Sequence, residues 1–222
     1  MNVERLVVGP LEANCYVVTD GTGEGIVIDP GGQPETILAA IKRLKANIKY
    51  IILTHGHLDH AVGLPQVKAS AGALVALHSD DIPLLNDRTL SAWLGMSLPR
   101  MPPPDIKLQD WQEIRAGELS LTVLHTPGHT PGGICLLGEG VLFSGDTLFQ
   151  NSIGRADLPG GDQDTLTQNI QTRLMILPDD TIVYPGHGPP TTIGQERRYN
   201  PFLQGEDRPR LCPEHPGEPG PE

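Results

Sequence analysis

The chain reads as an α+β protein: a sandwich of β-sheets with helices on the outside. Three observations carry that reading. Strand-like runs followed by a helical run occur twice in succession, which divides the chain into two halves of similar design. Four of those strand-like runs stop at a His or Asp. Finally, 222 residues suffice for one complete core but not for two ordinary domains with linkers. We therefore expect a single domain over residues 1–204 and an appended tail over 205–222.

The elements follow in order. Short strands over Glu4 to Val8, Asn14 to Val18 and Gly25 to Asp29 are separated by Gly- or Pro-containing turns. Pro34 opens a helix whose Ile37, Leu38, Ile41 and Leu44 recur at helical spacing, leaving Glu35, Lys42 and Lys45 in water. Lys49 to Leu53 returns to strand character. A helix after His60 and a strand over Leu74 to Leu77 come next. The stretch Leu84 to Pro104, with Trp93, Met96, Met101 and three consecutive prolines, is poorly periodic and reads as a covering loop or lid. Strands return at Gln112 to Ile114, Leu119 to Leu124, Gly133 to Leu137 and Val141 to Phe143. A last helix from about Asp164 carries Leu166, Ile170, Leu174 and Leu177 on one face and leads into a strand over Thr181 to Tyr184. Gly205 to Glu222 is rich in Pro, Gly and Glu, has almost no apolar residues, and cannot offset its own ordering entropy.

Composition excludes several functions. A net charge of -11 and the lack of a basic patch argue against nucleic-acid binding, which depends on Lys and Arg at phosphates. Residues Met1 to Pro10 lack the basic start and apolar core of a signal peptide, and no apolar run is long enough to span a bilayer. A soluble, cytoplasmic protein without a membrane partner is the expectation. Cys15, Cys135 and Cys212 are odd in number and unrelated in spacing, which fits reduced thiols, the first two buried. Oligomeric state leaves no signature.

Chemistry concentrates at the ends of four apolar runs. Tyr50 to Leu53 ends at Thr54-His55-Gly56-His57-Leu58-Asp59-His60. Leu119 to Leu124 leads to Thr126-Pro127-Gly128-His129, Val141 to Phe143 to Ser144-Gly145-Asp146, and Thr181 to Tyr184 to Pro185-Gly186-His187. If the strand ends are neighbours, these side chains converge. The period-two spacing of His55 and His57 lets both rings face one ion, while Asp59 and His60 begin a helix and face a second. The inventory is His55, His57 and His129 for one ion, Asp59, His60 and His187 for the other, and Asp146 between them. Imidazole and carboxylate suit zinc, and iron or manganese as well. Two cations roughly 3.5–4 Å apart leave room for a bridging hydroxide, and no Ser or Cys nucleophile is needed. His78 reads as a packing histidine. His125 reads as a packing or supporting group outside the ligand set, and Cys212 with His215 in the tail are not read as ligands.

These strings resemble the metallo-beta-lactamase superfamily, whose hallmark H-x-H-x-D-H is matched by His55 to His60. His125 to Gly132, Phe143 to Phe149 and Tyr184 to Gly188 match as well, so the resemblance covers roughly residues 3 to 203. It implies a four-layer αββα sandwich with metals at one edge. Within that superfamily the chain is similar to compact members of the glyoxalase II group, through Gly154-Arg155-Ala156-Asp157 to Asp162, Gly186 to Gly194, and Asn200-Pro201-Phe202. That likeness implies hydrolysis of a small-molecule acyl thioester, a hydroxyacylglutathione such as S-lactoylglutathione, with Asp59 orienting the nucleophile at a pair of metal ions, zinc first. The classical two-domain members carry a C-terminal helical domain that supplies much of their glutathione site, and these residues do not include one. Arg155 either binds a substrate carboxylate or braces its loop through Asp157. Two rival readings stand beside this one. A mononuclear iron persulfide dioxygenase would use the positions of His55, His129 and Asp146. A non-catalytic binding module would be expected to have lost ligands, and all seven are present.

Overall fold

Apolar residues occupy both faces of the central strands, which requires cover on both sides, and two sheets with flanking helices supply it. The computed structural model describes residues 1–87 and 100–204. The first six-stranded sheet takes its strands in chain order: β1 (Asn2–Val8), β2 (Ala13–Thr19), β3 (Glu24–Ile28), β4 (Asn47–Ile52), β5 (Leu74–His78) and β6 (Ile106–Leu108). Strands β1 to β3 pair antiparallel, and β3 to β6 pair parallel. Parallel neighbours need crossovers, which α1 (Pro34–Leu44) and α2 (Leu64–Ala71) provide.

The second six-stranded sheet holds β7 (Glu113–Ala116), β8 (Leu119–His125), β9 (Ile134–Gly138) and β10 (Val141–Gly145). A small hairpin of β11 (Leu148–Phe149) and β12 (Ser152–Ile153) follows. The helix α3 (Gln163–Asn169) then leads to β13 (Ile182–Pro185) and β14 (Thr191–Thr192), which complete the sheet in the order β14-β13-β10-β9-β8-β7. A short helix, α4 (Ile193–Tyr199), comes after them, so the helix expected to be last has a successor.

Three apolar layers hold the stack together. Between the sheets lie Tyr16, Val18, Ile26, Ile28 and Ile52 against Leu121, Val123, Ile134, Leu136 and Phe143. Alternate residues of the same strands, Cys15, Val17, Val27, Ile51 and Val75, point outward to Ile37 and Ala40 of α1 and Leu64 and Val67 of α2. On the far side Leu124, Cys135, Leu142 and Val183 meet Leu166, Ile170, Leu174 and Ile193. The result is the αββα sandwich that the resemblance implies, and it agrees with the sheets and outer helices of the two-half pattern. Among the described residues no helix is long and apolar enough to cross a membrane.

The boundaries moved at a few places. Asp59 and His60 lie in a 3-10 turn, Leu58–His60, and the α-helix starts only at Leu64 with Pro65 in its first turn. The face of Leu166, Ile170 and Leu174 runs through α3 into a π-helical turn, Ile170–Leu174, and Leu177 lies beyond it. Of the stretch read as a lid, Leu84–Asn86 forms a 3-10 turn and Met101 is buried in the outer layer. Residues 88–99, with Trp93 and Met96, lie outside the described residues, as does the tail 205–222 with Cys212 and His215.

Candidate metal centre

Each candidate ligand is delivered by a strand end. His55 follows β4 and His57 the next turn, Asp59 and His60 sit on the 3-10 turn, His129 lies in the loop between β8 and β9, Asp146 follows β10, and His187 follows β13. Because β4 belongs to one sheet and β8, β10 and β13 to the other, the site lies where the two sheets end together. Backbone bonds close that edge. Gly186 N–H donates to Gly145 O (2.8 Å), Asn14 N–H of β2 donates to Gly186 O (2.7 Å), and Ala13 forms an isolated bridge with His187. Asn14 Nδ2 adds bonds to Pro185 O and Gly188 O, both 2.8 Å. A Cβ at Gly186 would strike Asp146 Oδ1 and His60 Cε1, so only glycine lets the β13 end approach the ligands.

The side chains gather as two trios with Asp146 between. In the first, the ligating atoms of His55, His57 and His129 lie within 4.8 Å of one another, and in the second those of Asp59, His60 and His187 do. His57 Nδ1 and His129 Nε2 are 3.0 Å apart, and His60 Nε2 and His187 Nε2 are 3.2 Å apart. Two nitrogens bound at about 2.0–2.1 Å to one tetrahedral ion would stand about 3.3 Å apart. Asp146 reaches both trios: Oδ2 is 3.6 Å from His129 Nε2 and 3.7 Å from His187 Nε2, while Oδ1 is 3.5 Å from His60 Nε2. Asp59 Oδ2 lies 3.3 Å from His187 Nε2 and 3.5 Å from His60 Nε2.

Supporting hydrogen bonds decide which ring nitrogen faces inward. Thr54 Oγ1 donates to Asp29 Oδ2 (2.6 Å), so its lone pair accepts from His55 Nδ1 (3.1 Å), which leaves His55 Nε2 unprotonated. His60 Nδ1 donates to the same Asp29 oxygen (3.1 Å), and His129 Nδ1 donates to Arg155 O (2.7 Å). These bonds aim Nε2 of all three rings at the centre, as second-layer acceptors do for metal-bound imidazoles. Asp29 comes close enough to His55 and His60 to form a third ligand group. Its oxygens already take Thr54 N–H (2.7 Å), Thr54 Oγ1 and His60 Nδ1, so it braces rather than ligates.

The residues fit a pair of cations on two further counts. Buried polar atoms almost always have partners, yet His55 Nε2 and Asp146 Oδ1 are buried without one. The local field also asks for positive charge. Burial works against the charged form of His60, but Asp146 and Asp59 outweigh it and raise its pKa well above the usual value. Burial likewise opposes ionisation of Asp146, which His60, His55 and His129 nonetheless hold well below the usual carboxylate range. The pKa of His57 falls to about 4 and that of His55 well below normal, first through burial and then through neighbouring imidazoles, so both are neutral and free to ligate. The centre opens at His187, whose side chain is 29% exposed, and at Asp59 (15%), whereas His60 is fully enclosed.

Not every singled-out residue joins the centre. Arg155 Nε and Nη2 form a fork with Asp157 at 2.7 and 2.6 Å, the bracing contact expected of one of its two roles. His78 and His125 stack face to face, centroids 4.1 Å apart and 12° from parallel. With Asp80 they form another compact His/Asp group, but parallel rings aim their in-plane lone pairs past a common ion, and the pair packs. Asp29 and Asp81 were not singled out in the sequence. Asp29 carried a signal, since Ile26-Val27-Ile28-Asp29-Pro30-Gly31 repeats the apolar run ending in a carboxylate.

Comparison with known proteins agrees with this geometry. The family model described as the metallo-beta-lactamase superfamily matches residues 8–187. A Haemophilus influenzae protein named hydroxyacylglutathione hydrolase GloC is 38% identical over 216 residues, covering 93% of this chain and 100% of its own. Among solved structures, one titled BLEG-1 B3 metallo-beta-lactamase superimposes with TM-score 0.88 at 39% identity, covering 92% of this chain and 100% of that one. Another, titled TTHA1623 in a di-iron-bound form, gives TM-score 0.83 at 39% identity, covering 90% and 100%.

Proposed function

Because the chain belongs to the metallo-beta-lactamase superfamily and carries the His/Asp groups of a metallo-hydrolase, we propose that it hydrolyses a small-molecule acyl thioester, first of all a hydroxyacylglutathione such as S-lactoylglutathione. Two divalent cations would supply Lewis acidity and a water activated near neutral pH. We assign zinc, with iron the main rival, since one similar protein has a di-iron form. His55, His57 and His129 would hold one ion, Asp59, His60 and His187 the other, and Asp146 both.

The observation that carries hydrolysis by water is the state of the nucleophilic side chains. Cys15 and Cys135 are fully buried. Burial pushes the Cys135 thiol up to about 11 and the Cys15 thiol well above its usual value, so neither offers a thiolate at neutral pH. Ser144 is buried and donates to Leu148 O (2.7 Å), and Thr54 donates to Asp29. None of these side chains, among the described residues, is a free nucleophile, and we take water as the attacking group. Asp59, at the open rim beside His187, orients that water and takes its proton. The acyl group enters on the exposed His187 side, and the enclosed wall of His55, His60 and His129 keeps bulk water off the opposite face. The substrate class rests on the full-length relative named as a hydroxyacylglutathione hydrolase. The net charge of -11 favours small molecules over nucleic acid or anionic membrane surfaces as partners, and we place the protein in the cytoplasm as part of the same proposal.

Purified, metal-loaded protein should release free thiol from S-lactoylglutathione, with two ions bound per chain. Parallel arms with glutathione persulfide in an oxygen electrode and with a chromogenic β-lactam test the rivals. Oxygen uptake with a single iron, or ring opening without thioester cleavage, would overturn the proposal.

A further inference from the structure

We propose that Asp81 is a positioning residue: its buried carboxylate ties the loop of His55 and His57 to the loop of His129, and so sets the geometry of the ion site those three histidines form. The inference rests on the binuclear reading above.

Asp81 ends the 3-10 turn Ser79–Asp81 that follows β5, and it is fully buried. Its Oδ2 accepts from Gly56 N–H (2.8 Å) and Thr130 Oγ1 (2.7 Å), and its Oδ1 accepts from Gly132 N–H (2.6 Å). Gly56 lies between His55 and His57, and Thr130 directly follows His129. One side chain therefore spans the two loops that contribute all three rings, loops that come from different sheets. His57 Nδ1 and His129 Nε2 face each other at 3.0 Å across that junction, where a small loop shift would spoil shared ligation.

The fit is close enough to fix position. A Cβ at Gly56 would lie 2.5 Å from Asp81 O, and one at Gly132 would lie 2.7 Å from Asp81 N and 2.8 Å from its Cγ, so both loops press against this residue with no room for a side chain. From the other side His125, stacked on His78, meets Pro131 O at 3.0 Å through Nε2 and holds the 130–132 turn in place. Three donors converge on the two oxygens, which suits an acceptor-only carboxylate. A carboxamide of the same shape would turn an NH2 toward one of them. Burial pushes the Asp81 carboxyl pKa up, and the Thr130, Gly56 and Gly132 bonds oppose that shift. Asp81 makes none of these bonds to Asp59, His60 or His187. His60 is braced instead by Asp29, and the His187 loop by Asn14.

The test is stepwise zinc binding to the metal-stripped full chain by chelator competition, with the step belonging to this trio identified by its loss in His57→Ala. In Asp81→Asn that step should weaken about 10–100-fold, the usual effect of removing an outer-layer partner, while the other step is unchanged. The cobalt(II)-loaded variant should show altered visible absorption from one site only. Thr130→Val, which removes a single bond, should weaken the same step by a smaller factor, and it decides the matter if Asp81→Asn fails to fold. Unchanged binding of both ions in the variants, or proportional weakening of both steps, overturns the proposal. Wild-type protein that takes fewer than two ions defeats the binuclear reading itself and this inference with it.

Discussion

Asp146 is the residue on which both ligand groups depend. Its two oxygens stand 3.5–3.7 Å from His60, His129 and His187, whereas Asp29, which also comes near both trios through His55 and His60, has its oxygens taken by Thr54 and His60 Nδ1. Truncation should therefore cost both sites: Asp146→Ala is expected to fall from two tightly held ions per chain to none, measured by metal analysis after gel filtration. Retention of two would sink the shared-ligand assignment. The same residues show what the sequence could reveal. His55, His129, Asp146 and His187 stand out because an apolar run stops at a turn and a ligand-type side chain follows, a pattern that strand geometry itself imposes at a sheet edge. Asp29 obeys that pattern too, yet a carboxylate that braces His60 looks in sequence like one that ligates. Asp81 follows an apolar run too, Leu74 to Leu77, but only after three intervening polar residues. Ser79-Asp80-Asp81 reads as a solvated turn, and the burial of Asp81 comes from Gly56, Thr130 and Gly132, residues remote from it in the chain.

At the scale of elements, turns hold the two sheets in register away from the site. Asp20, at the β2–β3 turn, accepts through Oδ2 from Glu118 N–H in the β7–β8 turn (2.8 Å), and through Oδ1 from Thr22 N–H, Thr22 Oγ1 and Glu24 N–H. The Glu118 bond leads in lowering the Asp20 carboxyl pKa from 3.8 to about 2; desolvation, next in size, opposes it, and the local Thr22 and Glu24 bonds add to the lowering. A depressed folded pKa gives stability that is complete above the unfolded value and is lost as protons enter between 3.8 and about 2. Asp20→Asn should thus be less stable than wild type near neutrality, with the gap in urea midpoint narrowing as the pH falls through that window. A gap independent of pH would show that the carboxylate charge is not the cause. Element existence was legible wherever apolar periodicity ran for a turn or more, as in α1 and in β2 to β5. The far helix departs for a physical reason. Leu166, Ile170 and Leu174 repeat every four residues, wider than the 3.6 of an α-helix, and the chain keeps them on one face by opening a π turn, with Met175 N–H bonded to Ile170 O (2.9 Å). Strands β11, β12 and β14, each of two residues, are too short to show any period.

For the whole molecule the decisive fact is that the ligands belong to opposite sheets. The two-half pattern was legible because each half carries its own strands and helix, but alternation within a strand cannot say which edge of one sheet meets which edge of the other. The ligand-bearing ends settle that alignment, with His55 from β4 facing Asp146 from β10 and His187 from β13. Cations bound there would act as cross-links between the sheets, present in the folded chain and absent from the unfolded one. An ion held at 100 times its dissociation constant stabilises the fold by about 2.7 kcal/mol, so two ions each bound at that excess would add about 5 kcal/mol. At about 2–4 °C per kcal/mol for a chain of this size, chelation should lower Tm by roughly 10–20 °C. Zinc added back should restore it. In Asp146→Ala the chelator should have little effect, because the cross-link is already missing. A wild-type Tm that ignores the chelator while two ions are demonstrably removed would mean that the sheets are aligned by the Tyr16, Phe143 and Leu121 layer alone, with the ligands merely resting on an edge that packing had already built.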